Sequence, residues 1–431
     1  MLLLSSEATK VGQFEIYTFI ICMTALLAYV NYRFVRLSPT IGIMALSLGF
    51  SLVLIGLQGV FPESYRSLTL VIGSINFHTL LMKGMLGFLL FAGAIHIDAG
   101  NLKKERLPII ALASVSTLLS TGIVGTLLYY LFHAFGTDIA LMYCLLFAAL
   151  ISPTDPIAVL SILKKAGLPK SLELKIAGES LFNDGVAVVI FVTLLSVAQT
   201  GADHLVLKDV VLLFGIQAGG GLLLGSLLGY ASYRAVRSID KYEVEVMISI
   251  ATVMGGSLLA EQLGVSGPLA MVAAGIVFGN KGLETGVSDL SRDYLVKFWD
   301  LIDELLNASL FMLIGFEMLV IKYDNALLMV GGITVMLVLL ARWVSVALPV
   351  LFIKRIIPFE RHAVTILTWG GLRGGLSVAL ALSLPEAMHR DQFVAMTYMV
   401  VVFSILVQGL TIGGLYKKLH NRETGNSPAG K

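Results

Sequence analysis

The segment Ser152-Pro153-Thr154-Asp155-Pro156 lies inside an apolar run, 138–165, long enough to cross a bilayer. Each proline removes a backbone donor and clashes with the turn before it, so one unbroken helix cannot hold both Pro153 and Pro156. The helix has to open there. Hydrocarbon tolerates open backbone only where protein or a water-filled cavity covers it. Into that opening the chain places Asp155, and the next apolar run carries Gly178-Glu179-Ser180-Leu181-Phe182-Asn183-Asp184-Gly185. Carboxylates at membrane depth are costly, so Asp155, Glu179 and Asp184 make an ion or proton pathway the default expectation.

The chain as a whole supports a membrane setting. Of 431 residues, 57% are hydrophobic and 13% charged, where a soluble domain carries about a quarter charged. This is the composition of a polytopic α-helical membrane protein, and it points to no nucleic-acid partner. Cys22 and Cys144 sit in apolar runs without disulfide or metal spacing and read as small buried hydrophobes. Met1–Lys10 lacks the basic start and cleavage site of a signal peptide, so the first span is expected to be retained.

Thirteen windows are candidate spans: 14–32, 41–60, 80–98, 107–133, 138–165, 174–199, 209–236, 243–262, 268–279, 294–320, 326–353, 361–384 and 391–416. The window 268–279 is short, and 294–320 opens with Asp300, Asp303 and Glu304. Alternate connections hold 21 Lys and Arg on one side, Lys175 at the edge of the sixth window counted among them, and 5 on the other. Basic residues favour the cytoplasmic face, which predicts an outside N-terminus and a cytoplasmic C-terminus. Thirteen spans also divide as six, a linker and six, so the second half starts on the opposite side from the first. The fifth span of the second half carries Trp369-Gly370-Gly371-Leu372-Arg373-Gly374-Gly375. Glycine weakens a helix interior by about 1 kcal/mol per residue relative to alanine. Interrupted spans at matching positions of two inverted halves point to a transport site at the midplane. The expected fold is all-α, with about 13 transmembrane helices in inverted six-helix repeats and two interrupted helices crossing at the midplane.

The helix ends left at such breaks are positive at N-termini and negative at C-termini, so Asp155 can offset the first kind and Arg373 the second. Residues four apart share a helix face, which sets Glu179 with Asn183 and Ser180 with Asp184. Glu179 and Asp184, five apart, differ by about 140°. Asp184 and Ser180 are therefore assigned to the cavity, Glu179 and Asn183 to a neighbouring helix, and Arg373 to Glu179 as its ion-pair partner. Carboxylate, hydroxyl and freed carbonyl oxygens suit a hard cation rather than a soft transition metal. One carboxylate holds either a cation or a proton, which is enough to couple the two fluxes.

Taken together, these three motifs resemble the NhaP-type branch of the monovalent cation/proton antiporters, relatives of animal sodium/proton exchangers, and the match runs in order over spans three to thirteen. The resemblance implies a homodimer in which an ion-carrying core moves against a scaffold. It divides a single transmembrane domain into scaffold and dimerisation spans, 14–98 and 209–320, core spans, 107–199 and 326–416, and a short cytoplasmic tail, 417–431. It implies an ion site at Thr154, Asp155, Asn183 and Asp184, with Ser180 beside it and Glu179–Arg373 as the structural pair. Na+ is thus expected at Asp184, Asp155, Thr154 and Ser180. Asn-Asp in place of Asp-Asp goes with electroneutral exchange. Some relatives have an acid after the Phe of the third span, where this chain has Phe91-Ala92.

The expected function is secondary-active exchange of Na+ or Li+ for H+ across the cell membrane, with no cofactor. The alternatives are K+/H+ exchange by the same fold, or an intramembrane aspartyl protease using Asp155 and Asp184, which lacks its Gly-x-Gly-Asp pattern here. His78, His96 and His133 read as interfacial or capping residues, and Arg342 as a packing ion pair of unassigned partner. Asp300, Asp303 and Glu304 read as a solvated helix end or, more sharply, as a cytoplasmic cation funnel or pH sensor. Lys417, Lys418 and Arg422 read as lipid anchors before a polar tail.

Overall fold

A computed structural model describes residues 12–200, 207–283, 286–321 and 325–423. The ends Met1–Lys10 and the tail beyond Glu423 lie outside these described residues. Among them the fold is helical throughout, with one isolated antiparallel bridge between Asp155 and Leu372.

In chain order the helices are α1 Gln13–Val30, α2 Pro39–Gly56, α3 Pro62–Ser74, α4 Phe77–Ile95, α5 Arg106–Ala134, α6 Leu141–Ile151, α7 Ile157–Lys165 and α8 Lys170–Thr200. There follow α9 Leu207–Val236, α10 Tyr242–Leu263, α11 Gly267–Val277, α12 Asp289–Glu317, α13 Asn325–Ile353, α14 Ala363–Trp369, α15 Gly375–Leu382 and α16 Arg390–Asn421. Every expected window contains helix, and the two expected to be interrupted are split, into α6 and α7 and into α14 and α15. Nine helices among the described residues are long and apolar enough to cross a membrane. The windows outside that set are the two split ones, the short α11, and α12, whose first half is charged.

Two elements differ from the sequence expectation. The connection after α2 holds α3, which starts at Pro62 and keeps most of its length exposed. Helix α12 starts at Asp289, before the expected window, because Ser288 Oγ accepts a hydrogen bond from Ser291 N at 3.4 Å and caps it. Lys175, counted among the connections, is fully buried. Its Nζ lies 3.3 Å from Glu105 Oε2 and 3.4 Å from Glu360 Oε2, pinning α8 to the segments before α5 and α14.

Two kinds of packing divide the molecule. Helix α11 is held between α9 and α4 by small residues: a methyl group at Gly229 would meet Ala274 O at 2.7 Å, and one at Gly275 would meet Phe91 O at 2.8 Å. Such close backbone approach is how apolar helices associate without a hydrophobic driving force. The other region, where α6–α7 and α14–α15 cross, is held by charge and hydrogen bonds.

Candidate functional site

At the first break, α6 ends at Ile151 and α7 starts after Pro156. Asp155 is tied on both sides. Its backbone N–H donates to Leu372 O at 2.8 Å, and its Oδ1 accepts from Ile157 N, at the start of α7, at 2.9 Å. The start of α15 comes equally close, since a Cβ at Gly374 would lie 2.7 Å from Asp155 Oδ2. Asp155 thus sits between the N-termini of two half-helices, where a negative charge is favoured.

The opposite ends carry carbonyls with no partner in their own helices, and arginines take them. Arg373 Nη1 donates to Ser152 O and, at 2.8 Å, to Pro153 O. Arg342 Nη2 donates to Leu367 O, in the last turns of α14, at 3.2 Å. The second break also leans on α16, where the helix loosens into a wide turn over Ser404–Gln408. Ser404 Oγ accepts from Arg373 N at 2.9 Å, and Gln408 Nε2 donates to Trp369 O at 3.0 Å. A local π-type turn that meets another helix's needs in this way is common at functional sites.

The glycines of the second break are spatial requirements. None of Gly370, Gly371, Gly374 and Gly375 has a positive φ. A Cβ at Gly371 would lie 2.7 Å from Arg342 Nε, and one at Gly375 would lie 2.5 Å from Leu310 Cδ1.

The expected pair Glu179–Arg373 is not what the structure forms. Glu179 Oε1 lies 2.5 Å from Arg342 Nη1, and both side chains are buried. Arg373 is instead committed to the carbonyls of the first break, which leaves Arg342, one helix away on α13, to neutralise Glu179. The partner left unassigned for Arg342 is therefore Glu179.

Helix α8 meets the first break through Asn183 and Ser180. Asn183 Nδ2 donates to Thr154 Oγ1 at 2.8 Å, and its Oδ1 accepts from Thr154 N at 3.3 Å. Thr154 Oγ1 and Ser180 Oγ are 3.0 Å apart. A cavity of about 490 Å³ ends on Thr154, Asp155, Ser180 and Asp184 and extends past Asp303 and Asn307 to His96, Lys164 and Glu173. Glu179, Asn183, Arg342 and Arg373 do not line it. The cavity end therefore offers two carboxylates and two hydroxyls. Hydrogen bonds behind that wall fix Thr154 in place. Oxygen atoms of this kind can hold a hard monovalent cation, or a carboxylate there can take a proton.

The remaining flagged residues take modest places. His96 Nε2 lies 3.0 Å from Asp300 Oδ1, linking α4 to α12 at the cavity mouth. His133 stacks on Tyr129 at 6.4 Å between centroids. Cys22 is exposed and Cys144 buried, both as free thiols. The sequence reading left out Ser404, Gln408 and the buried Lys175. Only the lysine's nearness to a helix start offered a signal, and that signal pointed to the surface.

Residues 22–418 match the family described as sodium/hydrogen exchanger, transmembrane. The Na(+)/H(+) antiporter NhaP of Pseudomonas aeruginosa is 47% identical over 409 residues, 93% of this chain and 95% of that protein. The Na(+)/H(+) antiporter NhaH of Halobacillus dabanensis is 38% identical, over 80% of this chain and 84% of that one. Among solved structures, the sodium proton antiporter of Methanocaldococcus jannaschii at pH 8 aligns with a TM-score of 0.71. It is 18% identical and covers 93% of this chain and 97% of its own.

Proposed function

The chain belongs to the sodium/hydrogen exchanger family, and from that premise we propose that it exchanges Na+ or Li+ for H+ at Asp184, electroneutrally, across the cell membrane. The family transports ions, so the protease reading of Asp155 and Asp184 is set aside.

One observation carries the electroneutral reading. The crossing holds three carboxylates, the buried Glu179 and the half-buried Asp155 and Asp184 at the cavity end, and two buried guanidiniums, Arg342 and Arg373. Their formal charges leave one negative charge over. A low-dielectric passage penalises any net charge, so the site passes the barrier most readily with one Na+ or one H+ aboard. Exchange of one for the other then moves no net charge. Thr154 and Ser180 supply neutral oxygens to the cation, and Asp155 a second carboxylate. Asn183 acts by holding Thr154 rather than by touching the ion.

On this reading the cavity toward Lys164 and Glu173 opens to the cytoplasm, the N-terminus lies outside and the C-terminus inside. The core spans 107–199 and 326–416 carry the site past the scaffold spans 14–98 and 209–320, and the scaffold also forms a homodimer within the lipid bilayer.

The test uses proteoliposomes that hold a pH gradient and a pH-sensitive dye, with sodium, lithium, potassium or choline added outside. Wild type is expected to respond to sodium and lithium whatever the clamped voltage, and Asp184→Asn to neither. A response to potassium alone would change the substrate; an undiminished response in the variant would remove Asp184 from the site. Competition also sets a sign. As pH falls the proton occupies the carboxylate, so the apparent KM for sodium rises, by roughly tenfold per pH unit once the site is mostly protonated.

A further inference from the structure

Asp303, Leu310 and Glu317 stand seven residues apart along α12. Seven residues are close to two turns, so the three share one face over roughly 21 Å. Each meets a different part of the transport route. Asp303 lines the cavity that ends at Asp184, and its Oδ1 accepts from Asn307 Nδ2 at 3.0 Å, which orients it. Leu310 presses on the start of α15, where a Cβ at Gly375 would come within 2.5 Å of it. Glu317 lines a second cavity, of about 460 Å³, together with Asn76, His78, Leu382 and Arg390.

Glu317 is 8% exposed, and among the described residues its carboxylate has no ion pair and no hydrogen bond. The cation nearest to hand in that cavity, Arg390, is engaged by Glu386 Oε1 at 2.7 Å and lies 3.6 Å from Asp391 Oδ1. His78 Nδ1, in the same cavity, is also buried without a hydrogen-bond partner. A buried carboxylate lacking a protein partner is costly, and a proton or a monovalent cation from the adjoining water can neutralise it.

We infer that Glu317 is a cation-receiving residue for the face opposite the Asp184 cavity, with Asp303 as its counterpart on the cytoplasmic side and Leu310 as the separator between the two routes. This rests on the sodium/proton exchange proposed above. Neither acid is required for the exchange step itself. Each raises the local concentration of sodium at one entrance.

Initial rates of sodium-driven proton flux, measured against sodium concentration in right-side-out and in everted membrane vesicles, test this. Glu317→Gln is expected to raise the apparent KM for sodium roughly tenfold in right-side-out vesicles and to leave it unchanged in everted ones, with the maximal rate preserved. Asp303→Asn is expected to do the reverse. Glu317→Asp, which keeps the charge, is expected to stay near wild type; if the glutamine variant is poorly inserted, a side-specific rescue by aspartate carries the same information. Equal shifts at both faces, or none at either, would overturn the inference. A wild type that fails to answer sodium in either vesicle would instead defeat the exchange reading on which it rests.

Discussion

Ser152–Pro156 and Gly370–Gly374 open two helices by different means. The first break uses prolines, which cannot donate, and fills the gap with Asp155 between two helix N-termini. The second uses glycines, which leave room for the Arg342 guanidinium and for Asp155 itself. The acids of the crossing, Asp155, Glu179 and Asp184, all come from the first half of the chain, and its buried bases, Arg342 and Arg373, from the second. The two breaks therefore correspond in backbone and oppose in charge. On the proposed exchange, the first half presents oxygen atoms to the cargo. The second half steadies the carbonyls and carboxylates that would otherwise drift or repel. Binding and support are separate tasks, and the difference shows that one break can be damaged in its support while its ligands remain intact.

Removing support from the first break is expected to have the largest effect. Arg373→Met strands the Ser152 and Pro153 carbonyls and leaves three acids facing one base, so stability should fall by about 3–5 kcal/mol. Thermal unfolding in detergent and loss of exchange both report it, and a variant that stayed stable would mean that the carbonyls find other partners. Next comes Glu179→Gln, which leaves Arg342 buried without its counter-charge at a similar cost of roughly 3 kcal/mol. Adding Arg342→Met should recover most of that loss, whereas adding Arg373→Met should deepen it. The reverse outcome would restore the pairing expected from sequence.

A smaller effect is expected at the glycines. Gly374→Ala forces a methyl group to within 2.7 Å of Asp155 Oδ2, and overpacking of that kind costs about 1–3 kcal/mol. It should slow exchange, while Gly332→Ala, with nothing near the added methyl, should leave it alone. Equal behaviour of the two would mean that the second break does not need its space. The smallest effect is expected for Pro156→Ala, below about 1 kcal/mol, because the bridge to Leu372 and the Asp155 contacts keep the break open. If this variant lost exchange, proline rather than polar contact would be what holds the first helix apart.

The positions of the breaks were readable in the sequence because Pro153, Pro156 and the four glycines act through their own covalent structure. The placement of Ser180 and Asp184 on one face and of Glu179 and Asn183 on another followed from helix periodicity alone. The partner of Glu179 was a different matter. Arg342 and Arg373 are both deep cations on other helices, and only the crossing geometry decides which carboxylate and which carbonyls each can reach. Lys175 was misplaced for a related reason. Its position in a basic connection predicts exposure, and nothing local announces that Glu105 and Glu360 converge on it from distant segments. Helix α3 escaped notice because it is too short and too polar for a membrane-span search.

The bond from Asp155 N–H to the Leu372 carbonyl joins the two breaks without using a side chain from either residue. Substitution by ordinary amino acids leaves such a bond in place, and only proline at 155 would delete its donor. A saturation mutagenesis scan would therefore score position 372 by size and greasiness alone, with many apolar replacements passing. The seam that joins the two breaks would be missing from the resulting map of sensitive positions. Reading that map as a list of what matters would overlook the joint itself.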